Sequence, residues 1–441
     1  MLLTILLGPT MLSTEPAPAV DWSVTPRSAA ELTPAAFPNV SELSGVTYQG
    51  PAAGGLSRFM AIQDSGGGLT TFDVGFSNDG SLNALAPVSD LTLADSTLDF
   101  EGVAYTGSAS NSVFAAYEGN TNPADTIPGV AEYSLVDGSR VSTVVLPAAW
   151  TTNGNAVSNY GFESLTLTGD GSKLWTANEE GLTIDGPLAS ATNGTIVRLQ
   201  ELNRSGGAVT AGAQYAYEVD PWHAGGGTPA DRSGLVDLVS LPDGTLLALE
   251  RSLAFSIPSF DSRIYQIDFA GATDVSQSPF DGGLIGRSYT AVSKTLLWSG
   301  AVLPVGIFGE NLEGLALGPR LPSGDWTLLG VTDSGTALDY IVSFELTPDC
   351  SLSGDYNCSG QVGLNDLNLL LFNWNVDGSM VPGTWLHESP PAGTLVGLSQ
   401  LNGVLFNWGN TVSVATVPEP HTRVVFLYVL LALRVRYGNF L

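Results

Sequence analysis

Five short motifs in this sequence carry a polar or acidic residue at the same place. They are Leu43-Ser44-Gly45-Val46-Thr47-Tyr48, Phe100-Glu101-Gly102-Val103-Ala104-Tyr105, Phe162-Glu163-Ser164-Leu165-Thr166-Leu167, Val236-Asp237-Leu238-Val239-Ser240-Leu241 and Leu312-Glu313-Gly314-Leu315-Ala316-Leu317. Each is followed, after a turn, by an apolar run ending in an acid: Asp64, Glu118, Glu179, Glu250 and Asp333. Such acids have two uses. Singly, each caps a turn by accepting backbone N–H groups. Gathered together, carboxylates repel unless they are protonated or bound to cations. Calcium is a hard cation that takes six to eight oxygens, so a ring of such acids is a candidate calcium site. Glu101, Glu163 and Glu313 are the candidate catalytic acids. Asp64, Glu118, Glu179, Glu250 and Asp333 are the candidate metal ligands. Two cations are candidates to work with them: Arg251, which follows Glu250 directly, and Lys294, one of only two lysines in the chain. Arginine grips a phosphate in a bidentate fork and lysine meets it as a point charge. Each also has a plainer reading as an ion-pair partner, Arg251 for Glu250 or a neighbouring acid and Lys294 along the channel side.

Metal-assisted hydrolysis of a phosphoester suits this set, because bound calcium reverses the sign that carboxylates present to an anion. Serine-triad chemistry suits it poorly. No Gly-x-Ser-x-Gly elbow occurs, and of three histidines only His223 falls among the repeats, where Pro221-Trp222-His223 reads as a loop.

A second constellation lies near the end. Asp355 to Asp366 fits a twelve-residue calcium loop, with Asp355, Asn357 and Ser359 at positions 1, 3 and 5, Gly360 at the sharp turn, the Gln361 carbonyl at position 7 and Asp366 closing it. The following helix, Leu364, Leu367, Leu371, Phe372, Trp374, recurs 34 residues later as Leu398, Leu401, Leu405, Phe406, Trp408. The second loop is degenerate, with Ser389, Pro391, Gly393 and Gln400 at the ligand positions. This duplicated loop and helix resembles a dockerin type I module, which implies a cohesin-like protein partner. Cys350 and Cys358 form a small disulfide in an oxidising compartment or remain two free thiols.

The elements that hold the acids are short strands. Apolar or alternating runs are bounded by turns such as Asp170-Gly171 and Asp243-Gly244. Sheets repeated radially at this spacing make a β-propeller whose inner strands converge on a channel. The expected fold is mostly β: a five- or six-bladed β-propeller followed by a small α-helical module. A sixth blade without the motif has room near 183–230 or 268–300.

Composition narrows the function. The 441 residues carry 43 acids against 15 lysines and arginines, for a net charge of −28. Only 13% of residues are charged, against roughly 25% in an average soluble protein. A nucleic-acid binder needs a basic surface, and none is present.

Both ends read as export signals. Met1 to Leu12 is apolar and small residues follow to Ala19, as in a secretory signal without its basic start. Val417-Pro418-Glu419-Pro420, an apolar run from Val424 to Leu433, then Arg434 and Arg436 resemble the PEP-CTERM sorting signal of exported bacterial proteins. That resemblance implies a sorting protease and a membrane met only during export, and an address in the cell envelope or outside. The expected segments are a signal at 1–19, the propeller at 20–349, the dockerin-like module at 350–411 and the sorting tail at 412–441.

The order of the motifs, from LSGV through DFEGVAY, GFESLTL, LLALERS and ENLEGLALGP to VTDSG, resembles the phytase-like family, also described by its esterase-like activity. The resemblance places that family's acidic motifs on Glu101, Glu118, Glu163, Glu179, Glu250, Glu313 and Asp333. Its Glu-Arg pair falls on Glu250-Arg251, its isolated lysine on Lys294 and its asparagine before Glu-Gly on Asn311. Asp333-Ser334 departs from the common Asp-x-Asn. The resemblance implies an exported hydrolase of phosphate esters or related esters. Two other readings stay open: a non-catalytic surface scaffold, and a component of extracellular polysaccharide breakdown.

Overall fold

A computed structural model describes residues 20–121, 124–125, 127–228, 231–256, 259–302, 309–333 and 338–412. The signal-like segment and the Pro-Glu-Pro tail lie outside these residues. Among the described residues no helix is long and apolar enough to cross a membrane.

The repeats close into a five-bladed β-propeller. Strand β1 (Trp22–Glu31) is set aside for the last blade. The first blade is β2 (Leu43–Pro51), β3 (Ser57–Gln63), β4 (Gly68–Phe76) and β5 (Leu82–Thr92), in that order. The second comprises β6 (Leu98–Tyr105), β7 (Ser112–Thr121), β8 (Ala124–Asp125), β9 (Gly129–Ser134) and β10 (Arg140–Thr143), with β8 a short flap on β7. A one-turn helix α1 (Ala148–Thr151) leads to the third blade, β11 (Thr166–Leu167), β12 (Lys173–Ala177), β13 (Thr195–Ser205) and β14 (Ala208–Val219). The fourth is β15 (Arg232–Ser240), β16 (Leu246–Ala254), β17 (Ser259–Asp268) and β18 (Ser293–Gly300). The last is β19 (Asn311–Arg320), β20 (Trp326–Asp333) and β21 (Tyr340–Pro348), with β1 antiparallel on its outer edge. Both ends of the propeller thus share one sheet, which closes the circle and leaves few free edges.

The room left for a sixth blade is used otherwise. Residues 183–230 supply loops and the long hairpin of β13 and β14. The 268–292 segment packs Val275 and Leu284 onto Ala216. It is tied down by a fully buried pair, in which Arg198 donates to both oxygens of Asp185 (2.7 Å each) and to the Gln214 amide oxygen.

The inner strands β2, β6, β11, β15 and β19 carry the five motifs and surround the axis. Each motif position therefore becomes a layer. The second positions, Ser44, Glu101, Glu163, Asp237 and Glu313, lie toward one mouth. The fourth positions, Val46, Val103, Leu165, Val239 and Leu315, are each 4% exposed or less and form an apolar partition. Between these layers the strands nearly touch. A Cβ on Gly102 would lie 2.5 Å from the Leu165 nitrogen, and Cβ atoms on Gly45 and Gly314 would strike Glu101 and Ser44 carbonyls. Glycine follows Ser44, Glu101 and Glu313 because the strands there leave no space for a side chain.

Residues 350–412 form two loop–helix units ending in α2 (Leu364–Phe372) and α3 (Leu398–Phe406). Isolated bridges Gln361–Thr411 and Asp377–Leu395 join the units, and Tyr356 stacks on Trp385 at 4.6 Å. Cys350 and Cys358 are disulfide-bonded, which settles the alternative left by their spacing. Leu386 and Cys358 pack with Val20 and Trp22 of the propeller, and Arg320 donates to the Gly383 and Trp385 carbonyls. The helical unit is thus built onto the propeller beside its closing strand.

Candidate active site

Two strand periods collect the acids. Along a strand, residues i and i+2 share a face, and in two blades the residue two before the motif acid joins it. Asp99 accompanies Glu101, and Asn311 accompanies Glu313. The ends of the neighbouring second strands add Glu118 and Glu179. The oxygens of Asp99, Glu101 and Glu118 lie within 4.8 Å of one another, as do those of Glu118, Glu163 and Glu179. Glu118 belongs to both trios. All but Asp99 are buried. Glu313, Asp333, Asp64 and Glu42 act electrostatically on the same group, with Asp64 facing Glu42, Asp333 and Asp99.

Each acid is held in place. Ser44 donates to Glu101. The Gly161 N–H donates to Glu118 Oε1 at 2.7 Å. Gly234 leaves the space that the Glu179 side chain fills. The Asn311 amide donates to Glu313 Oε1 at 2.8 Å and to Asp333 Oδ2 at 3.3 Å. Arg251 pairs with Glu179 and Glu313 and donates to Asn311 Oδ1 at 3.0 Å. Its side chain is 14% exposed, so it serves the carboxylates first, as the ion-pair reading expected, though with partners other than Glu250. Burial alone would lower its pKa, and the Glu179 and Glu313 carboxylates raise it instead.

One cation does not neutralise this group. Burial, then the charges of Glu42, Asp333 and Asp99, push Asp64 up to about 7. Burial pushes Glu118 up to about 8, and Glu179 adds to it. Burial raises Glu313 to about 8 against the pull of Arg251. Glu101 and Glu163 are raised well above the usual carboxylate range, by burial and then by Glu118 and Glu101 respectively. Without a metal the folded chain therefore binds protons that the unfolded chain releases near pH 4. Stability from this source is complete below about pH 4 and is lost as pH rises through about 7 to 8. In chelator the melting temperature is expected to fall between about pH 5 and pH 8, and calcium, replacing the protons, is expected to flatten that slope. A melting temperature that climbs over this range in chelator contradicts the picture.

Not every expected ligand reaches the group. Glu250 accepts from Tyr217 Oη at 2.6 Å and from the Asp220 N–H at 2.9 Å, and pairs with Lys294. Lys294 also pairs with Asp220 at 2.8 Å and lies over the rings of Tyr217 and Tyr265. The structure thus moves Glu250 and Lys294 out of the mouth into a network between the third and fourth blades. The reason is alternation along β16, which sends Glu250 and Arg251 to opposite faces. Asp237 differs too. Its Oδ2 accepts the Leu315 N–H at 2.6 Å and its Oδ1 the Leu238 N–H at 2.8 Å, so it bridges inner strands. His223 meets Asp261 through Nδ1 at 3.0 Å and anchors its loop through Ser252.

The loop at Asp355–Asp366 gathers a second oxygen set. The side-chain amide of Asn357 lies 3.0 Å from Asp355 Oδ1 and 3.1 Å from both Asp366 Oδ1 and Ser359 Oγ. With its nitrogen on that side the amide donates to all three, and the Ser359 N–H donates to Asp355 Oδ1 at 2.9 Å. The Asp355, Asn357, Ser359 and Asp366 side chains thus meet in one loop, and their oxygens are the kind of donors a hard cation takes. Gly360 has a φ of 78°, the left-handed turn the sixth position requires. Gln361 offers its carbonyl to Ser359 Oγ at 3.1 Å.

No curated protein matches the chain by sequence. Among solved structures it is similar to an endo-arabinase from Bacteroides thetaiotaomicron, at 10% identity and TM-score 0.35 over 65% of this chain and 88% of that one. It is also similar to a periplasmic gluconolactonase from Pseudomonas aeruginosa, at 15% and 0.28 over 70% and 69%. An α-L-arabinofuranosidase from Podospora anserina, solved with cellotriose, matches at 10% and 0.33 over 74% and 96%. Nothing about activity follows from likeness this distant. The sequence carries more. The phytase-like family model, described by the esterase-like activity of phytase, matches residues 38–334, which is more than half of the chain and spans every acid of the mouth. With that match over residues 38–334, the chain belongs to the phytase-like family.

Proposed function

We propose that the chain is an exported hydrolase that uses calcium at the acidic mouth to cleave a phosphate ester or a related ester. The observation that carries this reading is the pair of carboxylate trios sharing Glu118, buried and far short of cations. Asp99, Glu101, Glu118, Glu163 and Glu179 would hold the metal. Calcium there supplies the positive charge an anionic ester needs and makes water a better nucleophile. The chain's own part is orientation. Ser44 fixes Glu101, while Arg251 and Asn311 fix Glu179 and Glu313.

The scaffold reading draws on one observation. Arg251, the cation nearest the group, is already paired with Glu179 and Glu313 and hydrogen-bonded to Asn311. Purified protein assayed on phosphomonoesters and carboxylic esters separates the two. Turnover restored by calcium and removed by chelator is expected. Calcium binding without turnover on either class favours the scaffold, and chelator-insensitive turnover refutes the metal mechanism.

We further propose that the helical unit is a calcium-binding, dockerin-like docking module for a cohesin-like protein, and that the end segments serve export to the envelope or beyond. Matched exposure of Phe372 (86%) and Phe406 (84%) supports a surface made for a partner. Asp366→Asn is expected to remove one calcium per chain and leave ester hydrolysis unchanged. Loss of hydrolysis in that variant contradicts the assignment of two separate calcium sites.

A further inference from the structure

The channel has a second mouth. Beyond the apolar partition opens a cavity of about 650 Å³, whose floor is Val46, Val103, Leu165, Val239 and Leu315. None of the acids of the first mouth lines it. Its walls are hydroxyl-bearing and aromatic: Thr47, Thr166 and Ser240 beside Tyr48, Tyr105 and Trp326. Gly383 of the helical unit forms one side. A Cβ there would stand 3.0 Å from Pro242, so the two parts meet closely.

The wall's polar groups are not all used. Gln49 Oε1, Ser240 Oγ and Trp326 Nε1 are buried without a hydrogen-bond partner. Each is shielded from water in this structure, and becomes an acceptor, a hydroxyl or a donor for a ligand in the cavity when its side chain turns. Leaving such groups unpaired costs about 1–3 kcal/mol each. Thr47 Oγ1 accepts the Tyr105 N–H at 3.1 Å, and Thr166 Oγ1 accepts the Ser240 N–H at 3.0 Å. Each of those hydroxyls keeps its own proton to donate.

Charge is nearly balanced here, in a chain of net charge −28. The rim holds one acid and one base. Asp170 is taken up by Thr168 and Ser172. Arg204 makes two long bonds of 3.4 Å, to the Gly171 carbonyl and Ser110 Oγ. A divalent cation finds too few oxygens free of other partners, and a phosphate too few cations. An aliphatic ligand would leave the wall's donors and acceptors unpaired. What fits an apolar floor, aromatic sides and scattered hydrogen-bonding groups is a molecule with C–H faces and hydroxyls together.

We propose that this second cavity binds one or two units of a neutral saccharide, on atoms separate from the acidic mouth. The full chain is titrated with glucose, galactose, xylose, cellobiose and maltose, read by saturation-transfer NMR and by tryptophan fluorescence, with glucuronate and inorganic phosphate as charged controls. At least one neutral sugar is expected to bind. Its Kd is expected to weaken about tenfold in Gln49→Leu, at an equal or higher melting temperature, and in Arg204→Gln, at an unchanged one, and to stay the same in Glu163→Gln. Silence of every neutral sugar overturns the proposal, and so does tighter binding of phosphate or glucuronate. So does sugar binding that survives both cavity variants, or that vanishes in Glu163→Gln, which would put the sugar at the acidic mouth.

Discussion

On the proposed calcium reading, Glu118→Gln is expected to lose ester hydrolysis by at least about 10²-fold and, in chelator above about pH 8 where Glu118 is ionised, to melt higher than the unmodified protein. The two effects have one cause. Glu118 is the carboxylate common to both trios, so its charge is shared by whatever cations sit in either. On the calcium reading, replacing it with an amide of the same shape removes a charge and one ligand oxygen from both positions and adds no bulk. Without calcium the same charge is a burden, because Glu179 and Asp99 repel it in a buried setting. Removing one such charge relieves repulsion on the order of 1–3 kcal/mol. The Gly161 N–H, which donates to Glu118 Oε1, still finds the amide oxygen. Calcium should therefore raise the melting temperature of the unmodified protein more than that of the variant. A variant that is less stable in chelator but fully active would show that Glu118 is a structural acceptor and no ligand.

How much of this was visible in the sequence depends on which physical effect wrote each feature. The blades were legible, because a strand buried on both sides must be apolar and a turn must hold Gly, Asp or Asn, and both signals recur five times. The acids at Glu101, Glu163, Glu313, Glu118 and Glu179 were legible for the same reason, since repetition fixes their level along the axis. Asp99 was missed although it stands two residues before Glu101, where strand period alone puts it on the same face. Glu250 and Lys294 were misplaced because repetition fixes height along a blade and not the face on which a side chain emerges. Tyr217, the partner that draws Glu250 away, belongs to the neighbouring blade, and no local pattern points to it. The blade count needed the closing contact of β1 with β21, residues more than 300 apart, which no spacing of motifs contains. The second mouth left no motif at all. Its floor reads as ordinary core and its wall as ordinary strand, and only closure of the ring makes them a cavity.

Gly102→Ala is expected to be among the most damaging single changes in the propeller, at a position that touches neither metal nor substrate. Its backbone is ordinary extended strand, so no left-handed conformation is at stake. The constraint is distance. A Cβ built there lies 2.5 Å from the Leu165 nitrogen, 2.6 Å from the Ser164 carbonyl carbon and 2.7 Å from the Leu165 Cβ. Two of those three atoms are backbone and cannot turn aside as the end of a flexible side chain would. Relief requires β6 to move away from the start of β11, and both strands belong to a closed ring. Pushing one inner strand outward opens the axis at the level between the acids and the apolar partition. The same shift also tilts the Glu101 and Glu163 carboxylates apart. Overpacking of this kind costs about 1–3 kcal/mol where neighbours can yield, and more where they cannot. The loss is expected at or above the top of that range, with calcium-stimulated activity lost even in the folded fraction. Gly169→Ala, with nothing within 4 Å of its Cβ, is the matched control and is expected to change neither. Chemical denaturation of the two variants in calcium and in chelator decides the matter. Equal midpoints for both would show that the inner strands slide apart freely, and the ring would then not be what fixes the spacing of the acids.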